Sequence, residues 1–375
     1  MRLSLATTRL TAWRGERHRV GLPKLGVYEV RRRYRARQAL LIGALVYMVL
    51  HLGLASTASW SRWLRDPVYA DKERKWQKLI RRLPEARPRI LFLGTSRVAN
   101  GFAAGEAQQR LGELTGRPVT VFNWGLPGAG PVTQYIHFRR LIKNPAKVDL
   151  LLLEVFPALM TEAGGLPVEA HFTEAIPWDD SELPILESYG FPVVSWRQER
   201  RNFWVAPWWT FRLRLMGRLA PSWLPYHQRY DWSRGPDPWG WSPIIDEDTS
   251  AERRAHRVER ARQEYEHRLR YWQLCPVTEH ALRDLLSFAQ QHEVKVRIIW
   301  TPEAPSFQKH YSPQSKKRIE QWLHNLTKET GVPLVDCRDW MTEEAFSDGH
   351  HLLPTGAVRW TIRLTEEVLL KAITE

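Results

Sequence analysis

Arg89-Ile90-Leu91-Phe92-Leu93-Gly94-Thr95-Ser96-Arg97 is the stretch on which the fold turns. Residues 89–94 read as a short apolar strand, set off by Pro88, that runs directly into a Gly-x-Ser turn. Two more strands of this kind follow. Residues 118–123 lead into Trp124-Gly125-Leu126-Pro127-Gly128-Ala129-Gly130, and residues 148–153 are apolar enough for burial on both faces, as in a parallel sheet. Helical patterns over 102–114 and 133–142 separate them. The rhythm resumes late in the chain, with strands at 294–300 and 332–336, a helix at 313–330 between them, and a closing helix over 355–372 entered through Pro354. Five strands interleaved with helices predict an α/β fold, a three-layer sandwich around a five-stranded, mostly parallel sheet. Ligand sites in such sheets lie beyond the carboxyl ends of the strands. Ser96, Gly125, Glu154, Thr301 and the loop after Asp336 all fall on that edge.

The α/β pattern occupies residues 88–157 and 293–375. Between them, 158–250 is rich in Pro, Trp and Gly with little periodicity, and helices follow at 251–274 and 276–292. A structureless run of that length does not suit a compact domain. Residues 158–292 are therefore expected to be an insertion or lid. Of the chain's 19 tryptophans, Trp204, Trp208, Trp209, Trp223, Trp239 and Trp241 lie here. They suit stacking on sugar rings, or equally the core of a subdomain.

The 375 residues carry a formal charge of +14, and arginine is dense in residues 1–38. Residues 39–57 then run without formal charge for about the 20 residues that cross a bilayer. Arg31, Arg32, Arg33, Arg35 and Arg37 precede that run, and positive charge stays on the cytoplasmic side. This predicts a basic cytoplasmic tail at 1–38, a transmembrane helix at 39–57, and an extracytoplasmic, periplasmic remainder. A cleaved signal peptide and a buried core helix are the competing readings. Residues 58–87 read as a charged helical stalk, with Trp60 and Trp63 at the membrane interface. No zinc-finger spacing or RNA-recognition signature points to nucleic acid. Cys275 and Cys337 form no Cys-x-x-Cys pair, so a structural zinc site is not expected, and a disulfide between them stays open.

The chemistry is carried by Asp348-Gly349-His350-His351. A carboxylate and an imidazole three residues apart suit an acid/base pair, and the Ser96 hydroxyl needs such a base to become a nucleophile. Gly94-Thr95-Ser96, a glycine after the second strand, and Asp348-x-x-His351 occur in that order, each after the appropriate strand. In this the chain resembles the SGNH (GDSL-like) hydrolase superfamily, in the membrane-anchored form found among bacterial cell-envelope and polysaccharide-modifying proteins. The resemblance covers roughly residues 88–157 and 293–372 and implies a flavodoxin-like sheet.

It further implies Ser96 as nucleophile, His351 as general base and Asp348 as its orienting carboxylate, with the Ser96 and Gly125 N–H groups as oxyanion hole. The family's third block supplies an oxyanion-hole Asn, but here the third strand ends in Glu154, which only accepts when ionised. Asn100 or Asn123 is the alternative donor, or Glu154 has a different role. His350 competes with His351 as base, and the two with Asp348 could instead ligate a metal. Arg97, Asn123, Glu154 and Glu303 are the candidate substrate-binding residues. No cofactor or metal is expected. The expected activity is hydrolysis or transfer of an acyl group, acetyl among others, on an envelope carbohydrate or lipid. The competing expectations are a non-catalytic scaffold in an envelope assembly, with a protein partner there, and a lipase or thioesterase with a lipid-facing insert.

Overall fold

The structure, a computed structural model, describes residues 27–143, 147–224, 237–244 and 250–374. Most of the expected tail at 1–38 lies outside these residues. The chain divides into two units, Met1–Gly53 and Leu54–Glu375. In the first, the described residues belong to helix α1 (Val27–Trp60), whose stretch Arg31–Trp60 is long and apolar enough to cross a membrane.

The second unit is built on one sheet. Strands β1 (Arg89–Gly94), β2 (Thr120–Gly125), β3 (Leu150–Glu154), β4 (Lys295–Trp300) and β5 (Leu334–Asp336) lie side by side in the order β2-β1-β3-β4-β5. Every pairing is parallel, with Leu91 opposite both Phe122 and Leu151. This is the flavodoxin-like order, and its first strand sits at the point where the winding reverses. Strands β1, β2 and β3 are buried throughout, which is why their sequences show no polar alternation. The α/β class, the five strands and their parallel sense agree with the SGNH resemblance.

Helices cover both faces. Helix α2 (Pro67–Arg82) is amphipathic and not a free stalk: Tyr69, Trp76 and Leu79 join the main core, spaced along one helical stripe. On that same stripe the Lys72 ammonium donates to the carbonyls of Asn123 (3.0 Å) and Gly240 (2.7 Å). After β1 come α3 (Ser96–Gly101) and α4 (Ala104–Thr115), where a single helix was expected from 102. Helix α5 (Pro131–Ile142) follows β2. The insertion opens with short 3₁₀ turns and a small hairpin of Glu162–Ala163 with Leu166–Pro167. Its later helices include α6 (Val193–Val205), α7 (Pro207–Leu219) and α8 (Ala251–Arg270).

Helix α9 (Pro276–Gln291), read from sequence as part of the insertion, buries Leu282, Leu285, Leu286 and Ala289 in the main core. It is the crossover helix that enters β4, and it packs beside α5. Helices α10 (Pro313–Thr330) and α11 (Pro354–Leu364) complete the layers, and the chain continues through a π turn at Thr365–Leu369. Cys275 and Cys337 are buried free thiols.

Candidate active site

Strand β1 delivers Gly94-Thr95-Ser96 to the carboxyl edge of the sheet. Thr95 caps α3, its hydroxyl oxygen accepting the Arg97 N–H at 3.1 Å, so Ser96 takes the first helical position. The other half of the site comes from the loop before α11. That loop folds back on itself through a bridge between Phe346 and Leu352 and a bond from the Ser347 N–H to the His351 carbonyl. Asp348 organises it: Oδ1 accepts the backbone N–H groups of His350 (3.1 Å) and His351 (2.8 Å). Oδ2 lies 2.7 Å from His351 Nδ1, and His351 Nε2 lies 2.8 Å from Ser96 Oγ.

The electrostatics separate the two histidines. Burial raises the Asp348 carboxyl, but the imidazoles of His350 and His351 and the hydrogen bonds from His351 outweigh it and hold the group well below the usual range. His350 stacks on Phe307 with ring centres 5.1 Å apart and meets Tyr265 edge-on at 5.0 Å. Burial in this aromatic box pushes it down to about 3, against the pull of Asp348, so it is neutral at ordinary pH. His351 is the histidine in contact with Ser96. The ligand atoms of Asp348, His350 and His351 lie within 4.8 Å of one another, close enough to hold a metal ion. Both His351 nitrogens, however, already face Asp348 and Ser96.

The other sequence candidates have structural work. Glu154 accepts the Thr95 N–H at 2.6 Å and the Thr301 hydroxyl at 3.0 Å, so it fixes the residue before Ser96. Arg97 is buried between two carboxylates, 3.6 Å from Glu154 and 3.2 Å from Glu303. It donates to the carbonyls of Thr301 (3.0 Å) and Pro302 (3.1 Å) and lies over Phe156 at 4.3 Å. Glu303 also accepts from Tyr311 at 2.9 Å, and burial raises its carboxyl. The Asn123 amide donates to the carbonyls of Val98 and Phe102, both at 2.7 Å, and its Oδ1 accepts the Gly125 N–H at 2.9 Å. Asn100 donates to the Ser242 carbonyl at 3.2 Å. Arg97, Glu154 and Glu303 thus bind one another and the backbone, Asn123 binds the backbone, and Arg97 also borders the cavity at Ser96.

Gly125 is likewise occupied. A Cβ there would stand 2.1 Å from the Ala99 nitrogen, so its role is to let β2 touch α3. The glycine that shares a cavity with Ser96 is Gly128. Leu126-Pro127-Gly128-Ala129 is a type II turn: Gly128 has φ +72° and the Ala129 N–H donates to the Leu126 carbonyl at 3.1 Å. Pro-Gly is the sequence signature of that turn and the signal that could have singled out Gly128. The cavity holds about 180 Å³, and Ser96 and Gly128 line it with Thr95, Arg97 and Glu264 and with the apolar or aromatic Phe156, Leu159, Phe172, Tyr265 and His350. Phe172 and Tyr265 come from the insertion, which therefore closes over the serine.

A protein-family model matches residues 247–372, under half of the chain but including β4, β5, Asp348 and His351. No curated protein matches the chain. Among solved structures, one named as an acylhydrolase, from Bacteroides fragilis, is 12% identical and has a TM-score of 0.35, over 80% of this chain and 95% of its own. A GDSL-like lipase from Bacteroides thetaiotaomicron is 11% identical, also at 0.35, over 82% of this chain and 98% of its own. Likenesses that distant carry no activity across.

Proposed function

We propose that this protein is a serine-dependent acyl-ester hydrolase or O-acyltransferase of the bacterial cell envelope, with a carbohydrate or lipid as its substrate. The observation that carries the reading is the unbroken line from Ser96 Oγ through His351 to Asp348, with contacts of 2.8 and 2.7 Å. Ser96 Oγ attacks the ester carbonyl carbon while His351 Nε2 takes its proton. The anionic Asp348 keeps the imidazole in the tautomer whose Nε2 is free to accept, and stabilises the imidazolium that forms. The oxygen of the tetrahedral intermediate takes hydrogen bonds from the Ser96 and Gly128 N–H groups. Neither N–H has a protein acceptor among the described residues. His351 returns the proton to the leaving alkoxide, and an acyl group remains on Ser96. Water or a substrate hydroxyl then attacks that ester by the same route. A cavity of about 180 Å³ suits a short acyl chain such as acetyl.

Helix α1 and the arginines before residue 39 support a single-pass anchor with a cytoplasmic N-terminus and the α/β domain outside. Reaction of the full chain with a fluorophosphonate probe tests the chemistry. Labelling is expected on Ser96, lost in Ser96→Ala and in His351→Ala. A probe-silent Ser96 in a folded chain would overturn the enzyme reading. It would favour a non-catalytic envelope scaffold, to which Glu154, standing where the SGNH family has its Asn donor, is the pointer.

A further inference from the structure

The serine site leaves a second surface unexplained, on the insertion. Helices α6 and α7 meet at Ala206 and form a hairpin with two unlike faces. The inner face is a small core of its own: Phe203 and Phe211 pack with Ala58 and Leu64. Those two residues flank the end of α1, so the hairpin packs on the chain just where the apolar run ends. The outer face is apolar as well. At the elbow, Val205 is 74% exposed and Trp209 68%, with Trp204 and Trp208 beside them; at the far end of α7, Leu219 is 82% exposed. Along α7, Trp208, Arg212, Met216 and Leu219 recur at helical spacing and form an outward stripe.

The hairpin itself carries Arg197, Arg200, Arg201, Arg212, Arg214 and Arg218 with one acidic residue, Glu199, between 193 and 219. Arg197, Arg200 and Arg214 pair with Glu187, Asp180 and Glu174 of the neighbouring segment. The Arg212 guanidinium lies 3.6 Å over the Trp209 ring and Arg218 lies 4.3 Å over Trp63, so arginine and tryptophan alternate across the surface. A contiguous exposed apolar patch marks a contact surface. Tryptophan with arginine at the end of an apolar span is the composition of a headgroup layer, where indole rings sit at the boundary and guanidinium groups meet phosphate.

We propose that α6 and α7 form an interfacial seat: the outer face of the hairpin lies on anionic phospholipid, with Trp204, Trp208, Trp209 and Leu219 at the headgroup–acyl boundary. The seat rests on the reading of residues 39–57 as a membrane span. It would fix the domain's orientation, since Arg65 beside the hairpin holds Asp179 at 2.5 Å and the Trp178 carbonyl at 2.7 Å. The bilayer would then set the direction from which a substrate reaches the insertion.

The test places bimane on the full chain at W209C, L219C, L45C or Q321C in nanodiscs of mixed phosphatidylglycerol and phosphatidylcholine. Quenching by a lipid spin-labelled near its headgroup is then read. The unsubstituted chain, whose two cysteines are buried, supplies the blank. Labels at 209 and 219 are expected to be quenched at least about twofold more than the label at Gln321, and less when phosphatidylglycerol is left out. Quenching at 45 with 209 and 219 no different from 321 would keep the span and overturn the seat. No quenching at 45 would overturn the span itself. Cross-links between 209 positions of two copies, without lipid quenching, would make the patch a protein–protein contact and also overturn the seat.

Discussion

Ser96 and Arg97 are consecutive residues with opposite fates. Ser96 meets His351; Arg97, rotated by one helical step of about 100°, borders the same cavity but is buried between Glu154 and Glu303. Each belongs to a line of carboxylates and basic groups, yet the two lines are set oppositely. In the first, His351 and the backbone N–H groups of His350 and His351 hold Asp348 ionised in spite of burial. In the second, two buried carboxylates share one guanidinium, and burial pushes Glu303 toward its protonated form. The first line keeps its carboxylate charged beside the cavity, as the proposed proton transfer requires. The second is buried, and it fixes the turn on which Ser96 rides through the bond from the Thr95 N–H to Glu154. Identical residue types therefore divide into the proposed chemistry and the scaffold by the partners they meet.

The largest effects should separate the two lines cleanly. Ser96→Ala is expected to remove on the order of 10⁴-fold or more of any ester turnover, and Asp348→Asn about 10⁴-fold by disturbing the imidazole tautomer. Ser96→Ala should leave urea unfolding nearly unchanged, because a hydroxyl beside a cavity contributes little to packing. Arg97→Met should do the reverse. Removing the cation leaves two buried carboxylates unpaired, a loss of about 3–5 kcal/mol in comparable sites, read as a lower urea midpoint. Ser96 in the molecules still folded should keep its reaction with fluorophosphonate. An Arg97→Met chain of full stability that no longer labels would break the comparison, because Arg97 would then act on the reactant.

That division explains what was legible beforehand. Strands β1 and β3 declare themselves because burial on both faces demands unbroken apolar runs such as Ile90–Leu93 and Leu150–Leu153. Asp348 and His351 stand out because a carboxylate and an imidazole on one turn have a fixed spacing. Direction, in contrast, is not written in residue type. Arg97, Asn123, Glu154 and Glu303 are polar and fall at the right edge, but each is buried and bonded to the backbone or to another of the four. Gly125 directly ends the strand, whereas Gly128 is marked as a turn by Pro127 before it. The charges of helix α2 suggest a stalk, while Tyr69, Trp76 and Leu79 form the stripe that binds it to the core. Helix α9 reads as part of the insertion because the irregular segment before it hides where the alternation resumes.

The comparison extends to a third carboxylate, and the smallest expected effect lies there. Glu169, in the insertion, is fully buried and accepts the N–H groups of Val132 (2.8 Å) and Thr133 (3.0 Å) at the start of α5. Burial nevertheless pushes its carboxyl up to about 7, outweighing those bonds. The folded chain therefore keeps a proton that the unfolded chain has lost between its ordinary value, near 4.5, and 7. Stability from this group is present below that window and declines as pH rises through it, by up to on the order of 3 kcal/mol. Glu169→Gln cannot ionise. Its urea stability relative to the parent chain should improve from pH 5 to pH 8 and level off above. A difference that stays flat across this range would show that the α5 N–H groups hold Glu169 as an ordinary anion. Glu169 would then join Asp348 as a carboxylate kept charged by its hydrogen bonds, and burial alone would not distinguish the scaffold carboxylates from the one proposed to be catalytic.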